Sequence, residues 1–456
     1  MTDRAARQKL LQDASARVAA YLDGLETRRA SPDAAGLQGL ANFHAPLAST
    51  GVPAGEVLAE LDRHGSPATM ANAGGRYYGF VIGGSLPVAT AANMLAAGWD
   101  QNAGLNITSP VAAALEDVAE GWLVDVLGLP AGTGVGFVSG ATVANMCALA
   151  AARHALLERE GWNVEKQGLY GAPPITVIVG DEYHASIQKA LSILGLGSQR
   201  VQRVPTDDQG RFRVDGLPDV EGPTLVCLQA GNVNTGSFDP VGEVCDRLAG
   251  SGAWVHVDAA FGLWARACPE LMPLAEGMEK ADSWATDAHK WLNVPYDSGL
   301  VFVRDAQQLR AALAGEAAYL VQAEGREPWH YAPELSRRAR GVEVWAAMRH
   351  LGREGLAELF SRNCRQARRF AQGLADAGYE ILADVVLNQV LVSFGDDAST
   401  RAVIEAIQVD GTCWCAGTVW KERVAMRISV CSWATTDEDV EQSLAAMLRC
   451  AAERAG

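Results

Sequence analysis

Short apolar runs of strand length alternate with amphipathic helical segments between about residues 135 and 305. The strand candidates cover residues 135–138, 175–179, 224–228, 254–257 and 300–303. The helical candidates between them cover residues 141–157, 184–194 and 241–249. Apolar strands that alternate with helices predict right-handed βαβ units and a mostly parallel central sheet, covered on both faces. Ligands of such sheets bind at the carboxyl ends of the strands, so we look for chemistry there.

The flanking regions predict two further parts. Residues 1–65 show helical and loop-rich patterns broken by Pro32, Pro46 and Pro53, which predicts an N-terminal helical arm. Residues 336–456 carry long helical patterns at 342–351, 362–377, 400–407 and 437–448, with strand candidates at 389–394 and 425–430. We therefore expect a large α/β domain over residues 66–335 and a small C-terminal α+β domain over 336–456.

Composition narrows the class of protein. The chain has 456 residues, 49% of them hydrophobic, and a net charge of −16. This acidity disfavours nucleic acid or anionic lipid as the main partner, and no apolar run has the length of a signal peptide core or a membrane span. The nine cysteines form no pair of C-x-x-C arms. We expect reduced cysteines, no metal site and a cytoplasmic location.

Two segments that follow strand candidates have the chemistry of an anion site and a buried acid. The small residues S-G-A-T at 139–142 open a helix, whose free N–H groups and positive dipole end suit a phosphate, although an ordinary capped helix fits as well. Asp258 ends a strand candidate, where a buried carboxylate must be paired. It could cap a helix or bind a protonated ring nitrogen.

Two further residues complete a recognisable set. Lys290 lies among tryptophans and apolar residues, and desolvation lowers the pKa of such a lysine, as Schiff-base chemistry requires. The alternative is a surface lysine with a buried stem. His184 begins a helix and could lie against a flat ligand or serve only as a cap. An anion cradle, a flat-ring partner, a buried acid and a desolvated lysine, in this order, describe a pyridoxal-phosphate (PLP) site.

At this point the chain resembles a known family, the group II PLP-dependent decarboxylases, which include aromatic-amino-acid and glutamate decarboxylases. The most specific matches are H-V-D-A-A-F-G at 256–262 and H-K-W-L at 289–292. Similar segments are N-T-G-S-F-D-P at 234–240, R-Y-Y-G-F at 76–80, W-L at 122–123, L-G-L-P at 127–130, L-S-R-R-A-R at 335–340 and M-R-I-S at 426–429. The resemblance implies PLP-dependent transferase fold type I and covers nearly the whole chain.

The resemblance also implies roles for individual residues. Lys290 would form the internal aldimine with PLP, and Asp258 would keep the pyridine nitrogen protonated. His184 would stack on one face of the ring and Ala260 would pack on the other. Gly140, Ala141, Thr142 and His289 would surround the phosphate. Asn232 would lie near the ring hydroxyl, and Tyr78 and Phe80 would line the substrate pocket.

The sequence departs from the family pattern in three places. Val143 stands where many relatives carry an acid, and Asp287 stands where several carry an asparagine. The segment 318–326, which precedes E-P-W-H-Y at 327–331, is short for the mobile loop that carries the proton-donating tyrosine in aromatic-acid members. Tyr331 is the nearest candidate donor to Cα, although its register differs and an ordinary packed tyrosine is an equal interpretation.

From these residues we expect decarboxylation of an L-amino acid to an amine and CO2, through an external aldimine and a quinonoid. Tyr77, Tyr78 and Phe80 favour an aromatic substrate. The resemblance implies a homodimer with active sites at the subunit interface. Two alternatives remain: a PLP-dependent carbon–carbon lyase, aldolase or decarboxylating aldehyde synthase, and a non-catalytic binding or scaffold protein.

Overall fold

The computed structural model describes residues 4–314 and 326–455. The chain forms two compact units. One contains the described parts of residues 1–82, 369–382 and 391–456, and the other contains those of residues 83–368 and 383–390. The expected boundaries at residues 65 and 335 remain a prediction.

The larger unit contains a seven-stranded sheet with the order β1-β7-β6-β5-β4-β2-β3. Its strands are β1 (Gly134–Val138), β2 (Thr176–Gly180), β3 (Gln202–Val204), β4 (Thr224–Gln229), β5 (Trp254–Asp258), β6 (Ser283–Asp287) and β7 (Gly299–Val303). Strands β3, β2, β4, β5 and β6 pair in parallel, whereas β7 is antiparallel to both β6 and β1. The expected mostly parallel sheet is confirmed.

This topology brings the ends of distant strands to one edge. Because β7 is antiparallel to both of its neighbours, β1 runs in the same direction as β6. The carboxyl ends of β1, β2, β4, β5 and β6 therefore lie at the same edge of the sheet. This is the edge where the sequence predicts the site.

The helices of this unit are α4 (Pro87–Trp99), α5 (Pro110–Val126), α6 (Ala141–Arg159), α7 (Val164–Gln167), α8 (Ala185–Ile193), α9 (Val241–Arg247), α10 (Ala306–Leu313) and the first part of α11 (Gly341–Asp376), which is interrupted at Gly352. Helices α5, α6 and α10 pack directly on strands of the sheet. Helix α6 is buried on most sides because small residues such as Ala148 and Ala151 allow close approach to β6 and β7.

The predicted elements of this unit agree with the structure to within a few residues at each end, but the prediction was incomplete. It did not include helices α4, α5, α7 and α10 or two of the strands. We did not predict β3, which is short and carries polar residues, or β6. Strand β6 lacks the Val- and Ile-rich pattern of its neighbours, because Trp284, Ala285 and Thr286 form its centre.

The smaller unit combines helices with a second sheet, as expected for an α+β part. Its helices are α1 (Arg4–Asp23), α2 (Ala34–Gly39), α3 (Ala54–Glu60), the end of α11, α12 (Asp397–Asp410) and α13 (Asp437–Ala455). The sheet has the order β10-β11-β9-β8, with β8 (Glu380–Ile381), β9 (Gln389–Ser393), β10 (Ala416–Trp420) and β11 (Arg423–Ser429). Among residues 4–314 and 326–455, no helix is long and apolar enough to cross a membrane.

Candidate active site

The carboxyl edge of the large sheet gathers four of the predicted residues. His184 follows β2, Asp258 ends β5, Lys290 lies three residues after the end of β6, and Gly140 lies two residues after the end of β1. Strands β5 and β6 are neighbours, and the Asp287 N–H donates to the Ala260 carbonyl across them at 2.8 Å. The fold therefore brings together residues that are up to 150 positions apart in sequence.

The Asp258 carboxylate is buried and only half satisfied. Its Oδ2 accepts hydrogen bonds from Ser186 Oγ at 2.9 Å and from Asn145 Nδ2 at 3.0 Å. Its Oδ1 is also buried but has no hydrogen-bond partner among the described residues. A buried carboxylate oxygen without a donor is costly, so this atom is suited to a donor supplied by a ligand.

His184 precedes α8 and caps it. Its Nδ1 lies 3.1 Å from the Ser186 N–H and 2.8 Å from Ser186 Oγ. These contacts fix the plane of the imidazole, while the residue remains exposed. Such a ring is free to stack on a flat ligand near Asp258.

Lys290 is paired with the unexpected acid Asp287. Lys290 Nζ lies 3.0 Å from Asp287 Oδ2, and the side chain of Lys290 is 20% exposed, against 5% for Asp287. Asp287 Oδ1 also accepts the Ala141 N–H at the start of α6, at 2.5 Å. One carboxylate thus joins the lysine to the predicted phosphate cradle, which accounts for an acid in this place.

His289 lies beside the same carboxylate. Its Nδ1 accepts the Ser298 N–H at 3.1 Å, and its ring stacks on Tyr296 with 4.2 Å between centroids. Its Nε2 is 3.4 Å from Asp287 Oδ1. Burial lowers the pKa of His289 despite the neighbouring Asp287, which favours a neutral ring at pH 7.

The predicted phosphate cradle is a tight turn between β1 and α6. The Gly140 carbonyl accepts the N–H groups of Val143 and Ala144 at 3.0 and 2.9 Å, so α6 begins immediately after Gly140. A Cβ on Gly140 would lie 3.3 Å from both Asp287 Oδ1 and His289 Cε1. Gly140, Ala141 and His289 therefore surround one small space, and Thr142 lies in the first turn of the helix.

The side chains of Asn232 and Ala260 have different surroundings. Asn232 Oδ1 accepts the N–H groups of Asn234 and Thr235 at 2.8 and 3.2 Å, which makes the side chain part of its own turn. Ala260 is half-buried, and its carbonyl accepts Thr286 Oγ1 at 3.1 Å. Asn232 as a partner of the ring hydroxyl and Ala260 as a ring contact remain predictions.

The structure does not bring Tyr331 into this group. The guanidinium of Arg326 lies 4.3 Å from the centre of the Tyr331 ring, and Tyr331 belongs to the apolar core around α6. Burial is also the main cause of its raised pKa. Residues 318–325 of the short loop lie outside the described residues, so the loop and the role of Tyr331 as a proton donor remain predictions.

Tyr78 and Phe80 belong to the smaller unit. Tyr78 is buried, with its hydroxyl 3.2 Å from Ser443 Oγ and its ring centroid 5.0 Å from that of Phe370. Phe80 is 56% exposed and packs at a tilt on Trp414. Their predicted place in a substrate pocket remains untested.

Three polar residues of the site were not identified from the sequence. Asn145 and Ser186 hold Asp258 Oδ2, and His256 in turn contacts Asn145. A signal was present, because His256 and Asp258 are two residues apart and face the same side of β5. Asn145 also interrupts an otherwise apolar stretch of α6.

Comparisons with known proteins assign the family. The family model described as "Pyridoxal-dependent decarboxylase conserved domain" matches residues 78–395. Tryptophan decarboxylase 1 of Oryza sativa subsp. japonica is 29% identical over 390 residues, 76% of this chain and 73% of that protein. Phenylacetaldehyde synthase of Arabidopsis thaliana is 27% identical over 370 residues, 74% of each chain.

A solved structure supports the fold. The structure of Oryza sativa TDC with PLP and tryptamine superposes with a TM-score of 0.90 and 24% identity, covering 99% of this chain and 98% of that one. The chain belongs to the pyridoxal-dependent decarboxylase family. It is a PLP-dependent amino-acid carboxy-lyase.

The residues present fit PLP. The unpartnered Asp258 Oδ1 suits a protonated ring nitrogen, and the exposed ring of His184 suits the flat face of the cofactor. Lys290 has the amine that PLP enzymes bind covalently, and it lies beside the β1–α6 turn where the phosphate would bind.

Proposed function

We propose that this enzyme decarboxylates an aromatic L-amino acid to the corresponding amine and CO2. The observation that carries this proposal is the buried, unpartnered Asp258 Oδ1 at the same sheet edge as Lys290. The aromatic preference rests on Tyr77, Tyr78 and Phe80, and on the similarity to tryptophan decarboxylase 1.

Bound PLP supplies an electron sink for the negative charge left at Cα when CO2 departs. Lys290 would hold the cofactor covalently until the substrate amine replaces it. Asp258 would hold a proton on the ring nitrogen and so keep the ring electron-poor. His184 would stack on one face of the ring. Gly140, Ala141, Thr142 and His289 would hold the phosphate and so fix the position of the cofactor relative to the bound substrate.

The attachment of PLP to Lys290 can be tested directly. Borohydride reduction of the holoenzyme, followed by proteolysis and mass spectrometry, should place the cofactor mass on the peptide that contains Lys290. Lys290→Ala should abolish this adduct, whereas Lys280→Ala, an exposed lysine of the same unit, should retain it. An adduct on another lysine would contradict the assignment, and the absence of any adduct would favour the scaffold alternative.

The substrate class can be tested with a panel of amino acids. The holoenzyme is incubated with tryptophan, tyrosine, phenylalanine, glutamate and histidine, and released CO2 and amine are measured together. We expect equimolar CO2 and amine from an aromatic amino acid, and loss of both in Lys290→Ala. Faster turnover of glutamate would contradict the aromatic preference, and no CO2 from any amino acid would contradict the function.

A second candidate is a decarboxylating aldehyde synthase. The similarity to a phenylacetaldehyde synthase favours it, since that protein is 27% identical to this chain over 370 residues. The short segment 318–326 also motivates it, because the product depends on where the proton returns. Mass spectrometry of the same reactions distinguishes the two, since aldehyde and ammonia would replace the amine, with dioxygen consumed as the two-electron oxidant and reduced to hydrogen peroxide. A product that retains its carboxylate would indicate a carbon–carbon lyase.

We also propose a cytoplasmic homodimer with its active sites at the subunit interface. None of the nine cysteines forms a disulfide in the described part of the chain, and all except Cys245 are buried, which is consistent with a reducing compartment. The exposed apolar residues of the N-terminal helices support association with a second copy.

A further inference from the structure

A continuous hydrogen-bonded chain runs inside the large unit from Trp254 to Asp258. Trp254 Nε1 donates to Ser283 Oγ at 2.9 Å, and Ser283 Oγ is 2.9 Å from His256 Nδ1. His256 Nε2 is 2.9 Å from Asn145 Oδ1, and Asn145 Nδ2 donates to Asp258 Oδ2 at 3.0 Å. Trp254, Ser283, His256 and Asn145 are each at most 3% exposed.

The direction of every bond in this chain is determined by the acceptor at its end. The ionised Asp258 carboxylate can only accept, so Asn145 Nδ2 donates to it and Asn145 Oδ1 faces His256 Nε2, which therefore donates. His256 Nδ1 is then an acceptor, and the Ser283 hydroxyl, which accepts the indole N–H of Trp254, donates to it. The Asn145 amide cannot flip without losing two bonds.

The state of His256 is consistent with this direction. Burial lowers the pKa of His256 to about 4, so its ring is neutral at pH 7 and has one N–H. A neutral ring donates at Nε2 and accepts at Nδ1, as the chain requires. It also places no positive charge beside Asp258 that would compete with a protonated ring nitrogen.

We propose that Asn145 and His256 are positioning residues that hold the Asp258 carboxylate with Oδ1 directed at the ring nitrogen of PLP. This proposal rests on the role of Asp258 given above. Asn145 fixes Oδ2 by donation, and His256 fixes Asn145. The orientation of Oδ1 is therefore set before the cofactor binds, and the donor to Oδ2 stabilises the ionised carboxylate.

Ser186 is the second donor to Asp258 Oδ2 and also contacts His184. Its hydroxyl lies 2.9 Å from Asp258 Oδ2 and 2.8 Å from His184 Nδ1. Because one hydroxyl proton serves two acceptors, Ser186 cannot hold Oδ2 as constantly as Asn145 does. We therefore assign the main positioning contact to Asn145.

The other ionisable groups around Asp258 are Cys227 on β4, and Glu182, Tyr183, His184 and Asp239 in the adjoining loops. Burial raises the pKa of Cys227 far enough to keep the thiol neutral. Burial also raises the pKa of Asp239 to about 7, while its oxygens accept the N–H groups of Phe212 and Gln229. Unlike these groups, Asn145 and His256 fix Asp258 Oδ2 through a hydrogen-bonded chain of defined direction.

The test compares Asn145→Ala, His256→Leu and His256→Gln with Asp258→Asn and with a control, Cys147→Ala. Cys147 is a fully buried residue of α6 that belongs to the apolar core. For each holoenzyme we measure the dissociation constant of PLP, the pH dependence of the absorption of bound PLP, and kcat and KM separately. Thermal unfolding of each apoprotein reports any loss of stability.

Asn145→Ala should weaken PLP binding and lower kcat by about tenfold each, which corresponds to one lost hydrogen bond to a charged acceptor. His256→Leu removes a hydrogen bond to the neutral amide of Asn145 and should lower the PLP affinity and kcat in the same direction by a smaller factor. KM should change by less than about twofold, since the substrate does not contact either residue. The pH midpoint of the absorption change should fall by about one unit, because the protonated ring nitrogen loses support. His256→Gln, whose amide can donate to Asn145, should retain most of the PLP affinity and most of kcat.

The positioning proposal would be overturned, and the role of Asp258 kept, by one pattern of results. In that pattern Asn145→Ala and His256→Leu leave the absorption and the PLP affinity unchanged, whereas Asp258→Asn changes both strongly. Unchanged absorption in Asp258→Asn would instead contradict the proposed role of Asp258. If Asn145→Ala does not fold, His256→Leu with its His256→Gln counterpart carries the same test. Equal effects in Cys147→Ala would indicate a general packing effect and would also overturn the proposal.

Discussion

Asp287 places a negative charge where the β1–α6 turn and Lys290 meet. Asn at this position could still accept the Ala141 N–H but would remove the ion pair with Lys290 and the repulsion toward a bound phosphate. We expect Asp287→Asn to lower the stability of the apoprotein by about 1–3 kcal/mol and to tighten PLP binding by about tenfold. Thermal unfolding of the apoprotein and a fluorescence titration with PLP measure the two effects.

A matched control is Asp246→Asn, which removes the same charge from an exposed pair with Lys280. Its PLP affinity should equal that of the unchanged protein, because Asp246 and Lys280 lie on and near α9, outside the site. Weaker PLP binding in Asp287→Asn would show instead that the carboxylate assists the cofactor, and it would contradict our interpretation of this residue.

The buried His256 predicts a specific dependence of stability on pH. Burial lowers its pKa from 6.5 to about 4 in the folded protein, so between these values the unfolded chain binds a proton that the folded protein does not. Stability from this group is therefore present above pH 6.5 and is lost as the pH falls toward 4. The loss amounts to about 2–3 kcal/mol.

His256→Gln should lack this contribution. Its free energy of unfolding, measured with urea at pH 7 and at pH 4.5, should decrease less than that of the unchanged protein. Cys147→Ala should show the same pH dependence as the unchanged protein, since it leaves His256 in place. An identical acid loss in His256→Gln would mean that other groups cause it.

At the scale of single residues, the sequence predicts a functional role for residues whose chemistry is unusual in their own segment. Lys290 among tryptophans and Asp258 at the end of an apolar strand are such residues, and the structure places both at the sheet edge. Asn145 and Ser186 were missed because a single polar residue in a helix, even one in an apolar stretch such as Asn145, does not show which residue it contacts. They become notable only once α6 and α8 bring them to Asp258, a contact that no local pattern contains.

At the scale of elements, the close packing of β7 on the β1–α6 turn positions the phosphate cradle. A Cβ on Gly299 would lie 2.7 Å from Gly140 N, and backbone at this point has no free space to move. Gly299→Ala should therefore destabilise the protein by about 1–3 kcal/mol and weaken PLP binding by about tenfold. Urea unfolding and PLP titration measure these changes.

Gly121→Ala is the control for this substitution. Gly121 lies inside α5, and apart from its chain neighbours and the backbone of its own helix no described atom lies within 4 Å of a Cβ built there. Alanine is the better helix former, so this variant should gain about 0.5–1 kcal/mol and keep its PLP affinity. If Gly299→Ala binds PLP as tightly as Gly121→Ala does, the β1–α6 turn can shift without weakening PLP binding.

The elements that the sequence predicts well are those whose pattern is local. Helix α6 and strands β2, β4 and β5 combine length with a clear apolar pattern, and their predicted ends are accurate to within about two residues. Strand β6 was missed because its strand character depends on its position between β5 and β7 rather than on its own residues.

At the scale of the whole molecule, the N-terminal helices carry apolar side chains that their own unit does not cover. Helix α1 buries none of its residues. The exposed apolar residues of this region are Leu11, Val18, Leu37, Leu40, Phe43, Leu47, Val52, Val57 and Leu61. Exposed apolar side chains grouped in one region indicate a contact surface, so we expect a second copy of the chain to cover them.

The expected dimer can be tested by sedimentation of the holoenzyme, which should give twice the 48.3 kDa mass of one chain. Leu11 and Val18 are seven residues apart on one face of α1 and are 64% and 40% exposed, so Asp at both positions should leave the monomer folded. The double variant should shift the equilibrium toward monomer, because two charges would be buried against the partner. Tyr170→Asp, at a residue 98% exposed in the other unit, should remain dimeric. If the unchanged protein is a monomer, the expected dimer is excluded. If the double variant is as dimeric as Tyr170→Asp, the contact between subunits lies elsewhere.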